Sequence, residues 1–226
     1  MKTKVFLIAL TIITVVFYGF TYKSSSEIDN TIANSIHSNT SNIDIFDLEN
    51  SDHHVTWLGV DCSLYKIKSN MNLTQEIPIK KELIEGIKFY RRTFVPDHTL
   101  ESWLKVKGRF TAKTEYGYEQ SEKNLQGQWI IHKYEIFSLT RKDIKDHIKK
   151  ISVAGKDIGF IQIPEITDME DGKHYGWLVF FDFATKEVIW MNRYTIDQKL
   201  KKSPGQAQFA YEWLLAMQKF VDGEYK

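Results

Sequence analysis

Asp52, His53 and His54 place three potential metal ligands side by side, and Asp61-Cys62 sets a carboxylate beside the only thiol of the chain. Zinc needs ligands converging from three or four positions, whereas neighbours on an extended chain point in opposite directions. The triplet therefore reads as the polar end of a linker, and no metal is expected. Cys62 has no disulfide partner and reads as a small buried apolar group, with a reactive thiol as the alternative. Asp61 stands in an apolar run, where a carboxylate is costly unless paired. It calls for a cationic partner, the alternative being a catalytic carboxylate. Asp168-Met-Glu-Asp-Gly172 lacks the alternating oxygen ligands and closing Glu of a calcium loop and reads as a polar hairpin turn. His132 and His174 gain catalytic meaning only if the fold brings them to Asp61 in one pocket. The chain has no P-loop, Gly-x-Ser-x-Gly, His-Glu-x-x-His or dinucleotide fingerprint, so its motifs do not argue for an enzyme and no cofactor is expected.

Two features suit binding. Aromatic residues make up 14% of the chain, and Trp103, Tyr116, Tyr118 and Trp129 fall in a polar stretch where a core does not obviously claim them. Exposed rings stack on sugars or anchor a protein partner; the alternative is a satellite core under a long loop. Lys80, Lys81, Lys88, Arg91 and Arg92 form a cationic helix face, fit for an anionic partner or simply solvated. Asp182 and Thr185 are read structurally, as side chains that close a turn on backbone amides.

These positions must be held by the elements around them. Val55 to Ile67 is apolar on both alternating faces, as expected of a strand covered twice. Ile79, Leu83, Ile87, Tyr90 and Phe94 form a helical stripe behind Pro78, and 97–104 adds a short helix. The stretch 108–137 is read only as a strand over 129–137. Thr140 with Asp143 caps a helix whose stripe is Ile144, Ile148 and Ile151. Strands follow at 158–166, 176–183 and 187–195, the last two forming a hairpin, and a helix spans 206–221. The expected fold is α/β (α+β): a mixed sheet with a C-terminal β-hairpin, covered by amphipathic helices.

Ahead of this domain, Lys2 and Lys4 precede an apolar run from Val5 to Phe20. Residues 1–22 read as an uncleaved signal anchor, or alternatively as a signal peptide, with the amino terminus inside. Residues 23–54 are rich in Ser and Asn and read as a polar stalk, leaving 55–226 as a single globular domain. The expected location is the cell membrane with the domain extracytoplasmic; after cleavage it would be secreted or periplasmic. Asn39-Thr40-Ser41 and Asn72-Leu73-Thr74 match a glycosylation pattern that matters only in a eukaryotic secretory route. With 30 basic against 29 acidic side chains, a nucleic-acid partner is not expected.

Trp57-Leu-Gly-Val-Asp-Cys-Ser63, Gly159-Phe-Ile-Gln-Ile-Pro164 and Trp177-Leu-Val-Phe-Phe-Asp-Phe-Ala-Thr-Lys-Glu-Val-Ile-Trp190 resemble motifs of an uncharacterised family of Bacteroidetes cell-envelope proteins. There an "FFD-x-x-T-x-x-V" hairpin precedes a final helix. Cys62 departs from the aromatic residue of that pattern, and Ser203 to Phe209 replaces its glycine-rich approach to the last helix. The element order is more distantly similar to envelope accessory proteins of the LpoB and curli-secretion type. The resemblance implies an envelope setting. The expected role is a membrane-tethered binding or assembly component of a bacterial envelope, meeting an envelope protein or glycan. The alternative is an envelope hydrolase acting on glycan or peptide.

Overall fold

The computed structural model describes residues 43–69, 73–94, 99–124, 129–197 and 206–225, within a compact unit spanning 39–226. The leader, the stalk up to residue 42 and Asn72 lie outside the described residues. Among those described, no helix is long and apolar enough to cross a membrane.

The strands are β1 (Val55–Val60), β2 (Lys66–Ser69), β3 (Phe110–Ala112), β4 (Ile130–His132), β5 (Ile158–Asp168), β6 (Lys173–Asp182) and β7 (Val188–Asp197). The helices are α1 (Leu73–Phe94), α2 (Thr99–Trp103), α3 (Glu115–Asn124), α4 (Arg141–Ile148) and α5 (Gln206–Val221). All seven strands join one sheet organised by β5. One edge of β5 carries β1 along its first half and β2 along its second, both parallel, with β3 and β4 parallel outside them. Its other edge carries β6 and then β7, antiparallel. The fold is thus mixed α/β, with a C-terminal β6–β7 hairpin, as the sequence leads one to expect.

Alternation along the strands divides the core in two. Trp57, Phe160, Leu178 and Phe180 face α1 and α5, meeting Leu83, Ile87, Tyr90, Phe209, Trp213 and Phe220. Leu58, Ile161, Ile163, Val179 and Phe181 face α4 through Ile144 and Ile148. This double cover explains why β1 is buried at every residue.

The expected continuous strand 55–67 is broken. Val60 pairs Gln162 and Lys66 pairs Ile166, so this side spends two more residues than β5 over the same length, and they loop out within 61–65. The alternation also slips at Gly59, whose φ of +85° is a left-handed conformation suited to glycine and typical of a bulge. Val60 and Cys62 consequently join Trp57 on the α1/α5 side, instead of sharing a face with Leu58, and Asp61 turns toward α4.

Three further boundaries differ from expectation. Helix α1 starts at Leu73, so Pro78 lies in its second turn rather than at its entrance. The strand over 129–137 shrinks to β4, and the unread stretch before it holds β3 and α3. Residues 43–54 are no stalk: Ile45 and Leu48 are buried in the core, and the Arg109 guanidinium donates to the carbonyls of Leu48 and His53.

Candidate functional site

Asp61 is the first residue past the carboxyl end of β1, a position where α/β sheets commonly place ligand-binding groups. Its side chain is fully buried. Oδ1 accepts the Ser63 amide at 2.8 Å and Oδ2 lies 2.8 Å from Nε2 of His147, near the end of α4. His147 reaches it because it lies three residues beyond Ile144 and next to Ile148, on the stripe that docks α4. Tyr116, half-buried against the same cluster, has its phenol pushed up to about 12 by burial and by the Asp61 charge.

The backbone around this break is clamped by α3. Cys62 N–H donates to Ser121 Oγ at 2.8 Å, Ser121 Oγ donates to the Gly117 carbonyl, and Asn124 Nδ2 donates to the Cys62 carbonyl. Helix α3 comes so close to β1 that a Cβ on Gly117 would stand 2.5 Å from the Val60 carbonyl oxygen. Burial, reinforced by the Asp61 charge, pushes the Cys62 thiol well above its usual range. It is therefore a protonated core group, poorly suited to nucleophilic work.

Two more buried carboxylates are paired elsewhere. Glu165, at an irregularity between β5 and β6, accepts both arms of the Arg193 fork at 2.8 and 2.7 Å and the Trp177 indole at 2.9 Å. Glu212 of α5 lies 2.8 Å from His174 Nδ1, which also meets Thr167 and, through it, Tyr65. Burial raises the Glu212 carboxyl, against the opposing pull of His174, and among the described residues its Oε1 has no hydrogen-bond partner.

The histidines do not converge on Asp61. His147 holds Asp61 on the α4 side of the sheet, His174 holds Glu212 on the α5 side, and the ring of exposed His132 lies tilted against that of Tyr134 at 5.2 Å. His54, from the Asp-His-His triplet, bonds Thr111 Oγ1 at 2.8 Å. Among the described residues no three His, Cys, Asp or Glu side chains form a group able to hold a metal. Asp168 of the acidic loop binds the amides of Glu170 and Asp171 and pairs with Lys68.

The four aromatic candidates do not form one surface. Trp129 is 1% exposed and its ring is core, a correction to its reading as a binding residue. Its place just before β4, where its carbonyl accepts the Ile67 amide, turns it inward. Trp103 and Tyr118 pack against the α1/α5 cluster, and Tyr116 packs on the opposite side. Tyr118 also lies beneath Lys88 and Arg91, cations already paired with Glu85 and Glu115, so the cationic face of α1 is partly consumed. At the β6–β7 turn Asp182 Oδ1 accepts the amides of Ala184 and Thr185 and the Thr185 hydroxyl, while Thr185 Oγ1 accepts the Glu187 amide.

Among the described residues, the large apolar side chains most open to water lie elsewhere, just after β4: Tyr134 is 78% and Ile136 is 99% exposed. A turn fixes this tip, since Glu135 N–H donates to the His132 carbonyl at 2.9 Å and the Glu135 carboxylate accepts the His132 amide at 2.7 Å. Beyond it, Phe137 and Leu139 are half-buried while Ser138 is exposed, and Leu139 packs on the α4 cluster. The sequence signal was the alternation itself, readable as a strand but serving a segment anchored on one side only.

No protein-family model matches the chain, and no curated protein matches it.

Proposed function

We propose that this protein is a membrane-tethered, extracytoplasmic binding or assembly component of a bacterial cell envelope, presenting residues 43–225 to a partner through the Tyr134–Ile136 tip. The tip carries the reading. An exposed tyrosine and isoleucine on a hydrogen-bonded turn invite contact, while the buried acids and imidazoles are spent on one another in separate places. The apolar run Val5–Phe20 behind Lys2 and Lys4 supports the tether. A photo-reactive phenylalanine analogue at position 136 of the full chain tests this in cells. It should form adducts that the same group at exposed Glu119 of α3 does not; equal labelling from both positions refutes the reading.

One observation favours the second reading, an envelope hydrolase. His147 is oriented by a buried carboxylate, the arrangement a general base uses. Turnover of labelled envelope glycan or peptide by the purified chain, abolished by His147→Gln, would support it; no turnover removes it.

A further inference from the structure

The tip and its flanks have the chemistry of a surface that meets an anionic bilayer. Tyr134 and Ile136 supply an interfacial aromatic and an aliphatic side chain at the protein's edge, and Lys133 extends over the Tyr134 ring at 4.9 Å. Tyrosine favours the headgroup level, and lysine keeps its charge there while its stem covers apolar surface. The acid within the tip, Glu135, has its carboxylate folded onto the His132 amide. Arg141, five residues past Ile136, is exposed at the start of α4, and Lys142 beside it shares its charge with Asp146. The segment thus carries two exposed apolar side chains with Lys133 beside them and, five residues on, exposed Arg141, whose neighbour two positions along is the exposed carboxylate of Asp143. Its rear is fixed by Leu139, so insertion of Ile136 requires no repacking of the core.

We infer that the Tyr134–Ile136 tip, with Lys133 and Arg141, docks onto the anionic lipid leaflet to which the protein is tethered. The inference rests on the tether proposed above and names lipid as the occupant of the tip. The roughly twenty residues from 23 to 42 span at most about 70 Å when fully extended, which keeps the domain within reach of its own bilayer. Each cation near such a surface strengthens partitioning by about fivefold, so neutralising Lys133 and Arg141 together should weaken it by about 30-fold.

The experiment uses the full chain carrying Ile136→Cys, labelled with an environment-sensitive fluorophore; Cys62 is buried and does not compete. The protein is reconstituted through its leader into phosphatidylcholine vesicles, and separately into vesicles of phosphatidylcholine with about one-third phosphatidylglycerol. The anchor is thus the same in both. Burial of the label, read as a blue shift and quenching by lipid-borne spin labels, is expected only in the anionic vesicles. It should be lost in the Lys133→Gln/Arg141→Gln variant, whose thermal midpoint should not move. A label that stays in water in both vesicles, or is buried equally in both, overturns the inference. A label buried only when solubilised envelope proteins or glycans are added overturns lipid as the occupant but leaves the binding reading standing.

Discussion

Replacing His147 by alanine gives the sharpest test of how the strand break is held together. Asp61 is fully buried, and His147 and the Ser63 amide are the groups that hold its two oxygens. Leaving a buried carboxylate short of a hydrogen-bond partner costs about 3 kcal/mol or more. The Ser63 amide remains, and His147 sits close enough to the surface for water to enter its place, so the lower end, about 3 kcal/mol, is expected. For a domain of this size that lowers the thermal midpoint by about 6–12 °C. His147→Gln, which keeps a donor, should recover about half of the loss. The double variant Asp61→Leu/His147→Leu should be less destabilised than His147→Ala, because it leaves no charge stranded. Urea unfolding followed by tryptophan fluorescence measures all three. A loss below about 0.5 kcal/mol for His147→Ala would mean that Asp61 is not held by the imidazole, and the account of the break would fail.

Other perturbations follow from the same packing. Arg193→Ala strands the Glu165 carboxylate with only the Trp177 indole and should cost about 3 kcal/mol, whereas Arg193→Lys keeps the charge but loses the fork; denaturant midpoints of the two separate charge from geometry. Gly117→Ala forces α3 away from the Val60 and Leu58 carbonyls and should destabilise by about 1–3 kcal/mol, visible as a lowered thermal midpoint. The Glu212 carboxyl is raised above its ordinary value of 4.5 by burial. The fold therefore favours its protonated form, and that contribution is present below pH 4.5 and lost as pH rises through the raised value. Its neighbours are His174, with Tyr65 and Tyr194 farther off, and Glu212→Gln should gain stability relative to the native chain as pH increases. Urea midpoints from pH 4 to 8 check the sign, and a constant difference between the two proteins would contradict it.

The elements most legible in the sequence are those whose local chemistry agrees with their packing. Thr140 and Asp143 form the expected reciprocal cap of α4. The β6–β7 hairpin and α5 lie where apolar spacing puts them, because their stripes face one well-defined layer each. The break at Asp61–Tyr65 was hidden because Leu64, Tyr65 and Ile67 continue the apolar content of β1, and only the pairing with β5 reveals the two looped-out residues. Gly59 was the available clue, a glycine inside a strand pattern being a common mark of a bulge. Helix α3 escaped because its docking face is made of Gly117, Ser121 and Asn124, small and polar groups at helical spacing that grip backbone rather than bury hydrocarbon. His147 was legible in principle: it shares the stripe of Ile144 and Ile148, so it had to face the interior and needed a partner there. Trp129 shows the limit of composition, since a ring in a polar stretch can still be core when the next three residues enter the sheet.

In the proposed arrangement the leader holds the domain at the outer side of a membrane. Alkaline carbonate extraction of cells producing the full-length chain, combined with protease added outside spheroplasts, tests it directly. Full-length protein is expected in the membrane pellet, with its domain digested by the external protease; full-length protein in the soluble cytosolic fraction, untouched by that protease, would refute the tether.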